Sequence, residues 1–63
     1  MQKIGVIGLG NMGSAVARNI QRANFPLYVH DIRKNVGKKL IEKGAIWKNS
    51  PKELMDDVDI VVS

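Results

Sequence analysis

Residues 8 to 13 read Gly8-Leu9-Gly10-Asn11-Met12-Gly13, with glycines at the first, third and sixth places, and Asp31 stands 23 residues after Gly8. These residue types at this spacing suit the recognition of an anion and of a diol. Glycines let a backbone turn sharply and leave room for a ligand beside the main chain. A helix that starts within such a turn presents unpaired N–H groups and a positive dipole end, which attract phosphate. A carboxylate at a fixed distance along the chain accepts hydrogen bonds from sugar hydroxyls. Together they would hold a dinucleotide, provided that a strand precedes the turn, a helix follows it, and the acid ends a second strand.

The surrounding pattern supplies all three. Residues 3 to 7, Lys-Ile-Gly-Val-Ile, form a nearly continuous apolar run, as expected of a strand buried on both faces of a parallel sheet. From Met12 the period changes: Met12, Ala15, Val16, Asn19, Ile20 and Ala23 recur at three and four residues, one stripe of a helix. Asn24 is a left-handed stop for it, and Pro26 cannot continue it. Residues 27 to 31, Leu-Tyr-Val-His-Asp, are a second strand ending in the acid.

Each site position then has a stated task. Gly8 turns the chain out of the strand where a side chain would clash, Gly10 lets backbone approach a pyrophosphate, and Gly13 packs the helix against the first strand. Leu9, Asn11 and Met12 complete the turn, the last two supplying N–H groups. Asp31 receives the adenosine ribose hydroxyls, and Ile32 and Arg33 follow it at the same corner. Asp31 would repel a 2′-phosphate, which points to NAD; Arg33 and Lys34 could pair with one, which leaves NADP open.

Farther along, Asn35 could cap a second helix over residues 36–43 closed by Gly44, although Gly37 in its interior costs roughly 1 kcal/mol against Ala. Residues 45 to 48 read as a weak third strand. Ser50-Pro51-Lys52-Glu53 combines a cap, a helix-start proline and the acid of a reciprocal capping box, so a short helix should run from Pro51 to Met55 or Asp57. Residues 59 to 63 form the last strand. Strands alternating with helices imply right-handed βαβ units. The expected fold class is α/β, the N-terminal portion of a Rossmann-type doubly wound parallel sheet, with about four strands and three helices as one partial dinucleotide-binding domain over residues 1–63.

Other side chains argue for less. The formal charge of +4 comes largely from Arg33, Lys34, Lys38, Lys39 and Lys43, balanced later by Glu53, Asp56, Asp57 and Asp59. With Val36, Leu40 and Ile41 facing elsewhere, the lysines read as a solvated helix face rather than a nucleic-acid footprint. His30 points to the strand face opposite Asp31 and reads as strand packing or a solvent-exposed side chain, and Tyr28 and Trp47 read as core or edge packing. The three late aspartates read as a helix end and a strand start, not a metal cluster, and Ser14 has no base to make it a nucleophile. No catalytic residue and no metal ligand is assigned. There is no Cys, and no apolar run approaches the roughly 20 residues of a membrane span. The expectation is a cytoplasmic protein with no membrane partner.

With these residues in place, Ile4 to Ile20 resembles the N-terminal signature of the β-hydroxyacid dehydrogenases, the group containing 3-hydroxyisobutyrate dehydrogenase. Val16 stands where that signature carries Met. Lys43-Gly44-Ala45, Ser50-Pro51-Lys52-Glu53 and Asp57-Val58-Asp59-Ile60-Val61-Val62 resemble later segments of the same family, so the likeness runs along essentially the whole chain. NADP-using members carry Asn-Arg-Thr after the second strand; Asp31-Ile32-Arg33 departs from that and supports NAD. The resemblance implies hydride transfer between a nicotinamide cofactor and a small β-hydroxyacid substrate, in a homo-oligomer several times longer than this chain, with an acid–base lysine beyond Ser63. On that reading the 63 residues alone are an inactive fragment. The alternatives are the corresponding part of a pyrroline-5-carboxylate reductase or a 6-phosphogluconate dehydrogenase-like enzyme, or a nucleotide-binding module without catalysis.

Overall fold

The computed structural model describes residues 1–63. Four strands, β1 (Ile4–Ile7), β2 (Leu27–His30), β3 (Ile46–Trp47) and β4 (Ile60–Val62), form one sheet in the order β3-β2-β1-β4, with every neighbouring pair parallel. Three helices connect them: α1 (Asn11–Arg22), α2 (Lys38–Glu42) and α3 (Pro51–Asp57). The chain builds outward from β1 to β2 and β3, then returns through α3 to the other side of β1. That reversal makes a switch point between β1 and β4, and ligands of open parallel sheets bind outside the carboxyl ends of strands at such points.

The strands pair in a register that sorts their side chains onto two faces. Val6 lies beside Val29, and Val29 beside Trp47. On this face Val6, Leu9, Leu27 and Val29 join Ala17 of α1, Leu40 of α2 and Ala45 in one buried cluster, with Ile20, Val36, Trp47 and Val62 packed around it. On the other face Leu54 of α3 is fully buried and lies so close to Gly5 that any Cβ there would overlap its side chain.

Helix α1 ends as the sequence predicts. Asn24 takes φ 65°, and Phe25 N–H donates to the Ile20 carbonyl beyond it. The α1 stripe is narrower than expected, because Met12 is 82% exposed and contributes nothing to the core. The second helix departs further. Lys34–Gly37 is a 3-10 turn, α2 starts only at Lys38, and Asn35 makes no side-chain cap. Gly37 explains the break: a Cβ there would stand 2.8 Å from the Trp47 ring, so the turn is pressed onto β3 and requires glycine. Ile41, expected to face inward, is 39% exposed. For α3, Ser50 Oγ accepts the Glu53 N–H at 3.1 Å. The reciprocal half differs, since the Glu53 carboxylate takes the Ser50 hydroxyl rather than a backbone N–H. β3 and β4 are each shorter than expected, at two and three residues.

Candidate functional site

The turn after β1 is pinned on three sides. Gly8 N–H donates to the His30 carbonyl at 2.9 Å, tying the turn to the end of β2. Leu9 N–H donates to Asp31 Oδ2 at 2.7 Å, and the Leu9 side chain is buried in the core. Ser14 Oγ donates to the Leu9 carbonyl at 2.9 Å, closing the turn onto α1. Ser14 is not among the residues expected in the site: its hydroxyl acts on a backbone carbonyl, which residue types alone do not mark, while Leu9, expected in the turn, acts through its main chain. The only available signal was position: Ser14 is the first residue after the last glycine and can reach back one turn.

The glycines divide their tasks differently from the expectation in one respect. Gly8 has φ 92°, a left-handed value, but a Cβ on it would meet nothing within 4 Å. It is glycine for its backbone conformation, not to avoid a clash. Gly13 is the close approach: a Cβ there would overlap the Gly8 carbonyl oxygen, so the helix and the turn fit only with hydrogen at that point. Gly10 adopts ordinary extended backbone as the N-cap of α1, and the space where its Cβ would sit is open.

That open space belongs to a cavity of about 330 Å³ between the ends of β1 and β4, lined by Val6, Ile7, Gly8, Gly10, Met12, Gly13, Val16, Val62 and Ser63. The first helical bond of α1 runs from Ser14 N–H to Gly10 O, so the N–H groups of Asn11, Met12 and Gly13 have no partner one turn earlier. The lining holds no acid, base or cation. The features that fit a diphosphate are therefore a stripped backbone, free N–H groups and a dipole end. A larger hollow of about 640 Å³ lies between α1 and α2, lined mostly by polar and charged groups including Arg18, Lys38, Lys39 and Lys43. No strand residue and no glycine of the turn lines it, which is why the smaller cavity is the candidate site.

At the neighbouring corner Asp31 is buried, just past β2. Its Oδ1 accepts Arg33 N–H at 2.8 Å and Arg33 Nε at 3.2 Å, and its Oδ2 accepts Leu9 N–H at 2.7 Å and Arg33 Nη2 at 3.3 Å. The guanidinium of Arg33 and the two backbone N–H groups hold this carboxyl far below the usual carboxylate range, against the opposing effect of burial. Ile32 projects between them and is 94% exposed. The structure thus brings residues 8–13 and 31–33 to one end of the sheet.

The remaining candidates lie apart. His30 is buried with Nδ1 at 2.8 Å from the Lys48 carbonyl and its ring 5.7 Å from that of Trp47, so of the two expected roles, packing and solvent exposure, it takes the first. Tyr28 lies under Lys48 Nζ, 5.8 Å from the ring centre. The late aspartates go three ways: Asp56 pairs with Lys52, Asp57 pairs with Lys48, and Asp59 Oδ2 accepts Lys3 N–H. No helix is long and apolar enough to cross a membrane.

A parallel sheet with a glycine turn, a helix N-terminus at the switch point and a buried acid after β2 defines a dinucleotide-binding domain of the Rossmann type. Residues 3–63 match the family model described as the NAD binding domain of 6-phosphogluconate dehydrogenase, and the chain belongs to that family. It is 39% identical over 62 residues to a probable mitochondrial 3-hydroxyisobutyrate dehydrogenase of Arabidopsis thaliana, covering 98% of this chain and 18% of that protein. An L-threonate dehydrogenase of Cupriavidus necator is also 39% identical over 62 residues, covering 98% of this chain and 21% of its own length. Among solved structures, Psf3 in complex with NADP+ and 2-OPP superposes with a TM-score of 0.87 at 31% identity, over 92% of this chain and 20% of that one. The chain therefore spans about a fifth of the length of the curated relatives it matches.

Proposed function

We propose that this chain is the opening part of the cofactor domain of an NAD(P)-dependent β-hydroxyacid dehydrogenase. Gly8, Gly10 and Gly13 would leave room for the diphosphate and Asn11 and Met12 would offer it N–H groups, while Leu9, expected in the site, would only fix the turn because its N–H is held by Asp31 and its side chain is buried; Asp31, Ile32 and Arg33 would face the adenosine ribose. The observation that carries this reading is the pinned turn: three hydrogen bonds fix it while the first N–H groups of α1 stay free beside an open cavity at the β1/β4 switch point. When bound, the nicotinamide dinucleotide supplies the hydride acceptor or donor. The residues here would orient it and offer its phosphates N–H donors and a helix dipole end, and the cavity lining carries no acid or base to move a proton. The acid–base group and the substrate contacts then lie in the rest of a longer protein. The names of the relatives support a small hydroxyacid as substrate.

The same reading extends to partners and place. Lys38, Lys39 and Lys43 lie exposed along α2 and its end while Leu40 is buried, which supports a solvated helix face rather than a nucleic-acid surface. The absence of Cys supports a reducing, cytoplasmic compartment. A homo-oligomer without a membrane partner is the expected state of the full-length enzyme.

Gly10→Val tests the site. Its Cβ position is open, so the full-length variant should lose no more than about 1 kcal/mol of stability, the scale of a poorer N-cap residue, yet bind NADH at least about tenfold more weakly, because the new methyls occupy the space a diphosphate needs. A wild-type protein that binds neither NADH nor NADPH, followed by tryptophan fluorescence, would overturn the reading.

A further inference from the structure

The hollow between α1 and α2 shares no residue with the candidate dinucleotide site: neither Asp31 nor Arg33 lines it. Its volume of about 640 Å³ is that of a small-molecule pocket. Arg18 and Gln21, three residues apart on α1, share one side of that helix and line the hollow together. Lys39 and Lys43, four apart, line it from α2 and its end, with Lys38 beside them. Against these four cations stands one carboxylate, Glu42, so the walls carry a surplus of three positive charges. The ion pairs of the molecule are Arg33 with Asp31, Lys48 with Asp57 and Lys52 with Asp56, and no cation of the hollow is spent in one.

Gln21 adds an independent feature. Its Nε2 donates to the Leu40 carbonyl at 2.9 Å, which fixes the amide between the two helices. Its Oε1 is closed off from solvent and accepts no hydrogen bond, the one buried side-chain polar atom of the chain in that state. Buried polar atoms are almost always paired, so an unpaired one in a cavity wall calls for a reason. An amide oxygen accepts from a hydroxyl and does not attract an anion. The two features together suit a ligand with a multiply charged anionic group and a hydroxyl beside it.

We propose that this hollow binds a small phosphate ester carrying a free hydroxyl, with Arg18, Lys39 and Lys43 on the phosphate and Gln21 on the hydroxyl. Arg18 supplies a forked, charge-assisted contact and the lysines act as point charges. The surplus of three charges matches a phosphate dianion better than a lone carboxylate. The site stands independently of the dinucleotide reading, since the two have no residue in common.

The test is calorimetry on the full-length protein with NADH present, using glycerol phosphate and propyl phosphate, which share the phosphate and differ in hydroxyls. Wild type should bind glycerol phosphate about fivefold more tightly than propyl phosphate, the scale of one hydrogen bond. Gln21→Leu should remove that preference while leaving propyl phosphate within about twofold of wild type. Arg18→Gln should weaken both probes about tenfold, the scale of a hydrogen bond to a charged group. Arg18 is exposed, so this variant should melt with wild type and decides the matter even where Gln21→Leu unfolds. Lys52→Gln, on α3 and outside the hollow, should change neither affinity. No saturable heat from either probe, equal losses in Arg18→Gln and Lys52→Gln, or a hydroxyl preference that survives in Gln21→Leu would overturn the proposal. So would binding seen only without NADH, which would put the phosphate at the glycine turn. A wild-type protein that takes no NADH overturns the dinucleotide reading alone, and the Arg18 and Gln21 comparisons still decide this one.

Discussion

On one face of the sheet, Val6, Leu27 and Val29 meet Ala17, Leu40 and Ala45 in a cluster of seven buried residues that also takes in Leu9 of the glycine turn. On the other face, α3 delivers one fully buried side chain, Leu54, over a bare Gly5, and Ile46 and Val61 stay 47% and 40% exposed. The difference shows where the fold places its precision. The turn that would hold a ligand is rooted in the thick face through Leu9 and Ala17, so its geometry is inherited from the best-packed part of the molecule. The thin face has no comparable redundancy: its packing depends on a single leucine and on the glycine that makes room for it.

The largest expected effect breaks that thin face. Leu54→Ala should lower unfolding stability of the full-length protein by about 4 kcal/mol, toward the upper end for leucine truncation, because this side chain is fully buried against Gly5. Ile46→Ala, on the exposed edge strand β3 of the same face, serves as the comparison, and a chemical denaturation series in which the two variants lose equal stability would show that this face does not depend on Leu54.

Next in size is the acid that ties the thick face to the site. Asp31→Asn should cost about 2 kcal/mol near neutral pH, the value of a hydrogen bond to a charged group. Because the folded protein holds the Asp31 carboxyl well below its ordinary value, its stabilisation is present above the unfolded-state value of about 4 and is lost as pH falls below it. Wild type should therefore lose stability between about pH 4 and pH 2 in excess of Asp31→Asn. Parallel acid limbs in melts of the two proteins would exclude Asp31 as the source.

Smaller changes sharpen the account of α3. Ser50→Ala removes the acceptor for Glu53 N–H and should cost about 1 kcal/mol. Lys52→Ala removes only an exposed pair with Asp56, and its melting curve should shift by less than about 0.5 kcal/mol. The order Ser50 before Lys52 is the point, since a reversal would mean that surface charge rather than capping holds this helix on the thin face.

Much of this was legible in the chain itself. The period change at Met12, the Asn24 stop and the Ser50-Pro51 start are local signals, and α1 and α3 begin or end where they stand. Residues 34–37 show the limit. Their helical pattern is real, but Trp47 of β3 presses on Gly37 and tightens the segment into a 3-10 turn. A contact ten residues away decided what local preference left open.

The site divides in the same way. The types and spacing of Gly8, Gly10, Gly13 and Asp31 suffice to mark a turn, a helix N-terminus and an acid at strand ends, because the period-2 and period-3.6 patterns around them fix local geometry. The sequence by itself also placed the elements in alternating order, and hence the parallel sheet. Only the tertiary structure decided that Gly8 is needed for its backbone angle and Gly13 for its contact, that Ser14 closes the turn, and that Arg33 lies on Asp31. These depend on distances between backbone groups and on where a long flexible side chain comes to rest, and neither is encoded in residue spacing.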